Sequence, residues 1–167
     1  MAEQLKNIYS QEFIKKLSNS LKNSHKDFKI DEFKKAIFTN SWESFELKQR
    51  MRHISKTLYQ FLPFSYKEQI EILIEVKQDF KALEAIIFQD FVEIFGLDDF
   101  EVSMKALEVF TIDSSSEFAI RQFILKYEDK TIKRMKLWAK SQNEHIRRLA
   151  SEGSRPRLPW AVALPNF

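Results

Sequence analysis

Leu47-Lys-Gln-Arg-Met-Arg-His-Ile-Ser-Lys-Thr-Leu-Tyr-Gln-Phe61 sets Leu47, Met51, Ile54, Leu58 and Phe61 at steps of four, three, four and three. A stripe of that period covers one face of an α-helix and leaves the lysines and arginines for the other. Pro63 has no amide to give a further turn, so the helix is predicted to end before it. Upstream, Asn40-Ser-Trp-Glu43 reads as a capping box, an Asn side chain taking a free N–H while Glu reaches back, and is predicted to open this helix.

The same grammar repeats on both sides. Phe13, Ile14, Leu17 and Leu21 predict a helix over 10–23, and Phe33, Ile37 and Phe38 a shorter one. Ser65-Tyr-Lys-Glu68 is a second capping box, leading into Ile70, Leu73 and Ile74. Leu83, Ile87, Phe91, Ile94 and Phe95 form a stripe that Gly96 is expected to stop. Asp98 or Asp99 starts the next helix, and Ser114-Ser-Ser-Glu117 opens another through Phe118, Phe123 and Ile124. Thr131 to Lys140 is predicted helical, and Ser141-Gln-Asn-Glu144 opens the last helix through Ile146, Leu149 and Ala150. Eight or nine short helices follow one another with no linker. Their spacing fits a helical repeat in which two-helix units stack, and an irregular bundle is the alternative.

Composition agrees with an all-α chain. Only two glycines occur in 167 residues, too few for the turns and phosphate loops of sheet-based folds, whereas sixteen phenylalanines suit helices packed on helices. Hydrophobic residues make up 44 % and charged residues 31 %, as in a folded soluble protein. Cysteine is absent, so neither disulfides nor thiolate chemistry enter. No apolar signal core opens the chain and no run is long enough to span a membrane, which predicts a cytoplasmic protein.

The formal net charge of +3 is small, but its distribution is uneven. From Glu68 to Glu117 three Lys or Arg face thirteen Asp or Glu, while from Phe118 to Arg157 eleven face four. A basic last third beside an acidic middle fits an anionic partner on one face; solvated helix faces are the plain alternative. His25, His53 and His145 are isolated, so no zinc site is expected, and no phosphate-binding, dinucleotide-binding or serine-hydrolase motif occurs. That leaves chemistry done by carboxylates, cations and aromatics.

Such residues crowd between Trp138 and Trp160, which holds two of the three tryptophans, four arginines and two of the four prolines. Ser116-Glu-Phe-Ala-Ile-Arg-Gln-Phe123, Trp138-Ala-Lys-Ser and Asn143-Glu-His-Ile-Arg-Arg-Leu-Ala-Ser-Glu-Gly-Ser-Arg-Pro-Arg-Leu-Pro-Trp160 resemble the AlkC-type DNA alkylation repair glycosylases. Leu47 to Ile54 is also similar to that family. The resemblance is close over 116–160 and covers most of the chain as a pattern.

It implies an all-α solenoid of HEAT-like helical pairs, one domain over 1–167, whose concave basic face holds duplex DNA. It implies hydrolysis of the N-glycosidic bond of alkylated purines such as 3-methyladenine, without flipping the base and without metal or cofactor. On that match Glu117 and Glu152 fall on the active-site carboxylates and Trp160 on the aromatic beside the damaged nucleotide. Arg148, Arg155 and Arg157 fall in the DNA-facing region. Family members run beyond this length, so the chain is expected to be an N-terminal portion that folds yet is a poor glycosylase alone, with Trp160 and Leu164 uncovered. The longer protein is expected to be monomeric.

Each residue has a plain structural reading as well. Glu117 is then the third-turn member of a capping box with Ser114, Glu152 an exposed carboxylate near a helix end, and Trp160 a packing residue for a following helix. Trp138 reads as core, and the adjacent Arg147 and Arg148 must point apart. Two other functions compete: a non-catalytic helical-repeat module binding DNA or protein, and a nuclease, which lacks a visible metal-ligand cluster.

Overall fold

The computed structural model describes residues 4–164; Met1–Glu3 and Pro165–Phe167, on which expectations about a leader and about the chain's end bear, lie outside them. Among the described residues there are nine α-helices and no strand: α1 (Gln11–Ser24), α2 (Ile30–Ile37), α3 (Leu47–Phe61), α4 (Tyr66–Lys77), α5 (Ile86–Phe95), α6 (Phe100–Thr111), α7 (Glu117–Lys126), α8 (Glu128–Trp138) and α9 (Glu144–Gly153). Two of the predicted start signals, Ser65 with Glu68 and Asp99, work as written. Ser10 takes the amide of Phe13, Ser65 and Glu68 form a complete capping box, and Asp99 takes the amide of Val102.

Two caps differ. The box that opens α3 is Glu46 with Gln49; Asn40 to Glu43 is not one, because residues 42–44 form a 3-10 turn that buries Trp42 against Phe38. The last helix is capped by Asn143, whose Oδ1 accepts from the amides of His145 and Ile146, while Ser141 accepts the amide of Asn143 itself.

Four hairpins in series, α2/α3, α4/α5, α6/α7 and α8/α9, make up the stack. Their second helices pack in a row, α3 on α5, α5 on α7, α7 on α9, while α1, α4 and α6 make the second row. This serial order is that of a helical repeat rather than of an irregular bundle. Phenylalanines join the rows: Phe13 meets Phe80 at 5.5 Å between ring centres, Phe80 meets Phe88 at 5.7 Å, and Phe88 meets Phe110 at 5.6 Å. Gly96 ends α5 with a right-handed φ of −101°, so its need is for space, since a Cβ there would strike Tyr66 Oη and Ser103 Oγ. No helix is long and apolar enough to cross a membrane among the described residues.

Candidate active site

Glu117 is the first residue of α7, where an anion sits well against the helix N-terminus. The serines before it fix the loop from three sides. Ser114 Oγ donates to Ala82 O at 2.9 Å, Ser116 Oγ donates to Leu107 O at 3.1 Å, and Ser115 Oγ donates to the Glu117 carboxylate itself. The capping-box reading of Glu117 with Ser114 is thereby overturned: Ser114 points away, and Glu117 stands at the first helical position rather than the third.

Arg148 and Glu152 lie four residues apart on α9 and so share a face. Arg148 Nε donates to Glu117 Oε1 at 2.9 Å, and its Nη2 donates to Ser114 O at 2.5 Å. The Glu117 side chain is only 7 % exposed, so the pair is a charge-assisted contact at the edge of the core. Arg147 donates instead to Ser141 O at 2.8 Å, so the two neighbouring arginines do point apart. Gly153 lets α9 close on α7: a Cβ there would lie 2.7 Å from Ile120 Cγ2. Glycine after Glu152 thus brings the two helices that carry the carboxylates together.

Beyond α9 the chain runs as a strap, residues 154–164. Arg155 pairs with Glu152 at 2.9 Å, and Arg157 is exposed. Trp160 is 72 % exposed and stands in the left-handed region with φ of 64°. A non-glycine residue held there costs about 1–3 kcal/mol and persists only where surrounding contacts impose it. Leu164, expected uncovered, is instead buried, its amide donating to Pro156 O at 2.9 Å. Trp138 is core, with its indole N–H donating to Glu108.

Glu117, Phe118, Arg148, Glu152, Pro159 and Trp160 line one open cleft of about 480 Å³. Two carboxylates, each beside an arginine, and an exposed indole therefore share one space, while neither Arg155 nor Arg157 is among its lining residues. Among the described residues no group of three or more His, Asp or Glu side chains gathers as a metal site.

Two contributors, Arg121 and Lys48, carry no assignment from the sequence. Arg121 is fully buried below the strap, though its place between Ile120 and Phe123 in an apolar run was a visible signal. Lys48 of α3 reaches across to donate to Trp160 O at 2.5 Å and lies 5.4 Å from the centre of the Phe118 ring. Glu93 of α5 is pushed up to about 7 by burial and by Asp90, against the opposing pull of Arg52 and Lys48.

The fold defines a class: an all-helical, HEAT-like stack. In particular, the chain superposes on the Pseudomonas fluorescens alkylpurine DNA glycosylase AlkC, solved bound to DNA containing an abasic site analog. The TM-score is 0.93 with 34 % identity, over 99 % of this chain and 46 % of that one. It is also 45 % identical over 161 residues to YhaZ of Bacillus subtilis (strain 168), an uncharacterized protein, covering 96 % of this chain and 45 % of YhaZ. The likeness read from residues 116–160 therefore extends over almost the whole chain. The chain spans rather less than half the length of these proteins. No protein-family profile matches it.

Proposed function

We propose that the Glu117–Glu152–Trp160 cleft receives an alkylated purine nucleotide of duplex DNA and hydrolyses its N-glycosidic bond. The reading rests chiefly on one observation: two carboxylates from different helices and an outward-turned tryptophan line one cleft, in a chain whose fold matches AlkC. An N-alkylated purine such as 3-methyladenine is cationic and a good leaving group. When the bond from C1′ to the base nitrogen breaks, the electron pair goes to the base and neutralises it. The sugar left behind is oxocarbenium-like and is stabilised by a carboxylate held at that position. A water oxygen then bonds C1′ and gives up a proton, for which the second carboxylate is the acceptor at hand. The reaction so written calls for no metal or cofactor.

The indole face of Trp160 meets the cationic base or the sugar, a contact of about 0.5–2 kcal/mol. Arg155 and Arg157 take phosphates and set register without reading sequence. Arg148 spends its inner edge on Glu117, and only its exposed edge is open to the backbone. The same reading puts this chemistry in the cytoplasm, with the protein acting as a monomer.

The test is release of free 3-methyladenine from methylated duplex, with the chain in saturating excess at low salt. Release above spontaneous depurination supports the reading; none at saturation overturns it in favour of a non-catalytic DNA- or protein-binding module. At physiological salt and limiting protein the chain should fall well below the Pseudomonas fluorescens enzyme, because fewer phosphate contacts lower affinity steeply.

A further inference from the structure

Among the described residues Arg121 is the largest fully buried side chain, yet it pairs with no carboxylate there. Its guanidinium is spent on backbone. Nε donates to Val162 O at 2.6 Å, Nη1 donates to Gly153 O at 3.0 Å and to Arg155 O at 2.7 Å, and Nη2 donates to Pro156 O at 3.1 Å. All four acceptors belong to the end of α9 or to the strap, on both sides of Trp160. Burial lowers the pKa of the group, but arginine retains its proton in a protein, so the planar fork remains a full set of donors.

We propose that Arg121 is a positioning residue: from inside α7 it clamps the carbonyl at the end of α9 and three carbonyls of the strap, and so fixes the outward, left-handed pose of Trp160 over Glu117 and Glu152. This deepens the reading of the cleft given above and rests on it. The burial of a charge solely for the sake of a surface loop needs a reason, and the strained residue that the loop presents supplies one. Geometry links the clamp to the chemistry directly. Arg121 lies one helical turn beyond Glu117 on α7, so the helix that places the first carboxylate also anchors the tryptophan. Lys48 adds only a solvent-exposed hold at Trp160 O, and Ala161 N closes a turn onto Leu158 O at 3.1 Å.

Hydrogen exchange on the free chain separates this role from general packing. Arg121→Met should speed exchange of the Ala161 and Leu164 amides on the order of 100-fold, because the strap loses its charge-assisted bonds. The Phe91 and Met104 amides in α5 and α6 should stay at their wild-type rates. Arg121→Lys keeps the charge but loses the fork, and should give a smaller rise at the same two amides; it serves alone if the methionine variant does not fold. The steady-state anisotropy of Trp160, isolated by subtracting a Trp160→Phe sample, should fall in the same order.

On methylated duplex the variants should lose kcat with KM for DNA held. Strap amides that exchange as in wild type, or that rise only in step with α5 and α6, overturn the clamp. If no protein, wild type included, releases base, the glycosylase reading fails while the exchange arm still decides the clamp. Wild-type base release with unchanged strap exchange in both variants removes the clamp alone.

Discussion

The helices up to α6 and those from α7 onward are held in different ways. Through α1, α5 and α6 the contacts run from ring to ring, Phe13 to Phe80 to Phe88 to Phe110, and the buried polar groups there, such as Ser55 to Ile87 O and Asp90 to Arg52, tie one helix of the stack to another. From α7 on, the polar bonds converge instead on the loop, carboxylate and strap of the cleft: Arg148 to Glu117, Arg121 to the strap, Ser116 back to Leu107. Dispersion and burial have no direction, so they build a rack that tolerates swaps of similar volume. Charge-assisted hydrogen bonds have direction, so they can aim a carboxylate or an indole. The first region supports and the second points.

The comparison breaks first, if it is wrong, at the aromatic ladder. Phe88→Ala should cost about 3–5 kcal/mol in urea or thermal unfolding, since it removes a fully buried ring that touches two others. Trp160→Ala, at the other extreme, should change stability by less than about 0.5 kcal/mol. Equal costs for the two would erase the distinction between rack and pointer.

Glu93 sharpens it, being a charged group set inside the rack. Its carboxyl is raised from the ordinary 4.5 to about 7 by burial and by Asp90, with Arg52 and Lys48 pulling the other way. Between those two values the folded protein holds a proton that the unfolded chain has released. Glu93 therefore costs stability increasingly as pH rises, fully above 7 and not at all below 4.5. Glu93→Gln should stabilise by on the order of 2 kcal/mol at pH 8, with the gain vanishing toward acid. A gain independent of pH would mean that the carboxyl is not the cause.

Smaller again are the strap arginines. Arg155→Ala and Arg157→Ala should each weaken binding to damaged and undamaged duplex alike, and lower the salt slope of log K by about 0.9. Loss confined to damaged DNA would make them readers of the lesion.

Much of the rack was legible because apolar periodicity and capping residues are local signals. The stripe from Leu47 to Phe61, the box at Ser65 and the cap at Asp99 needed only their near neighbours. Asn40 misled because Trp42 was buried by contacts with Phe38, which redirected the chain into a 3-10 turn. The residues of the cleft were legible only through the likeness to AlkC. Spacing alone favoured a capping role for Glu117, and nothing local tells that Arg148, thirty-one residues on, takes its carboxylate. Arg121 lay in plain view within the quoted element, but its partners are carbonyls, which leave no mark in a side-chain pattern. Leu164 was expected bare, and instead it is tucked back under the strap.

The proposed chemistry on the glycosidic bond stands or falls on the charge of Glu152. Glu152→Gln keeps the side chain's shape and removes the charge that would face the oxocarbenium-like sugar. With protein in saturating excess over methylated duplex, so that affinity drops out, the single-turnover rate of 3-methyladenine release should fall by about 100-fold or more relative to wild type. The circular dichroism spectrum and the unfolding midpoint should be unchanged. A Glu152→Gln protein that is folded, saturated with DNA and as fast as wild type would contradict the account.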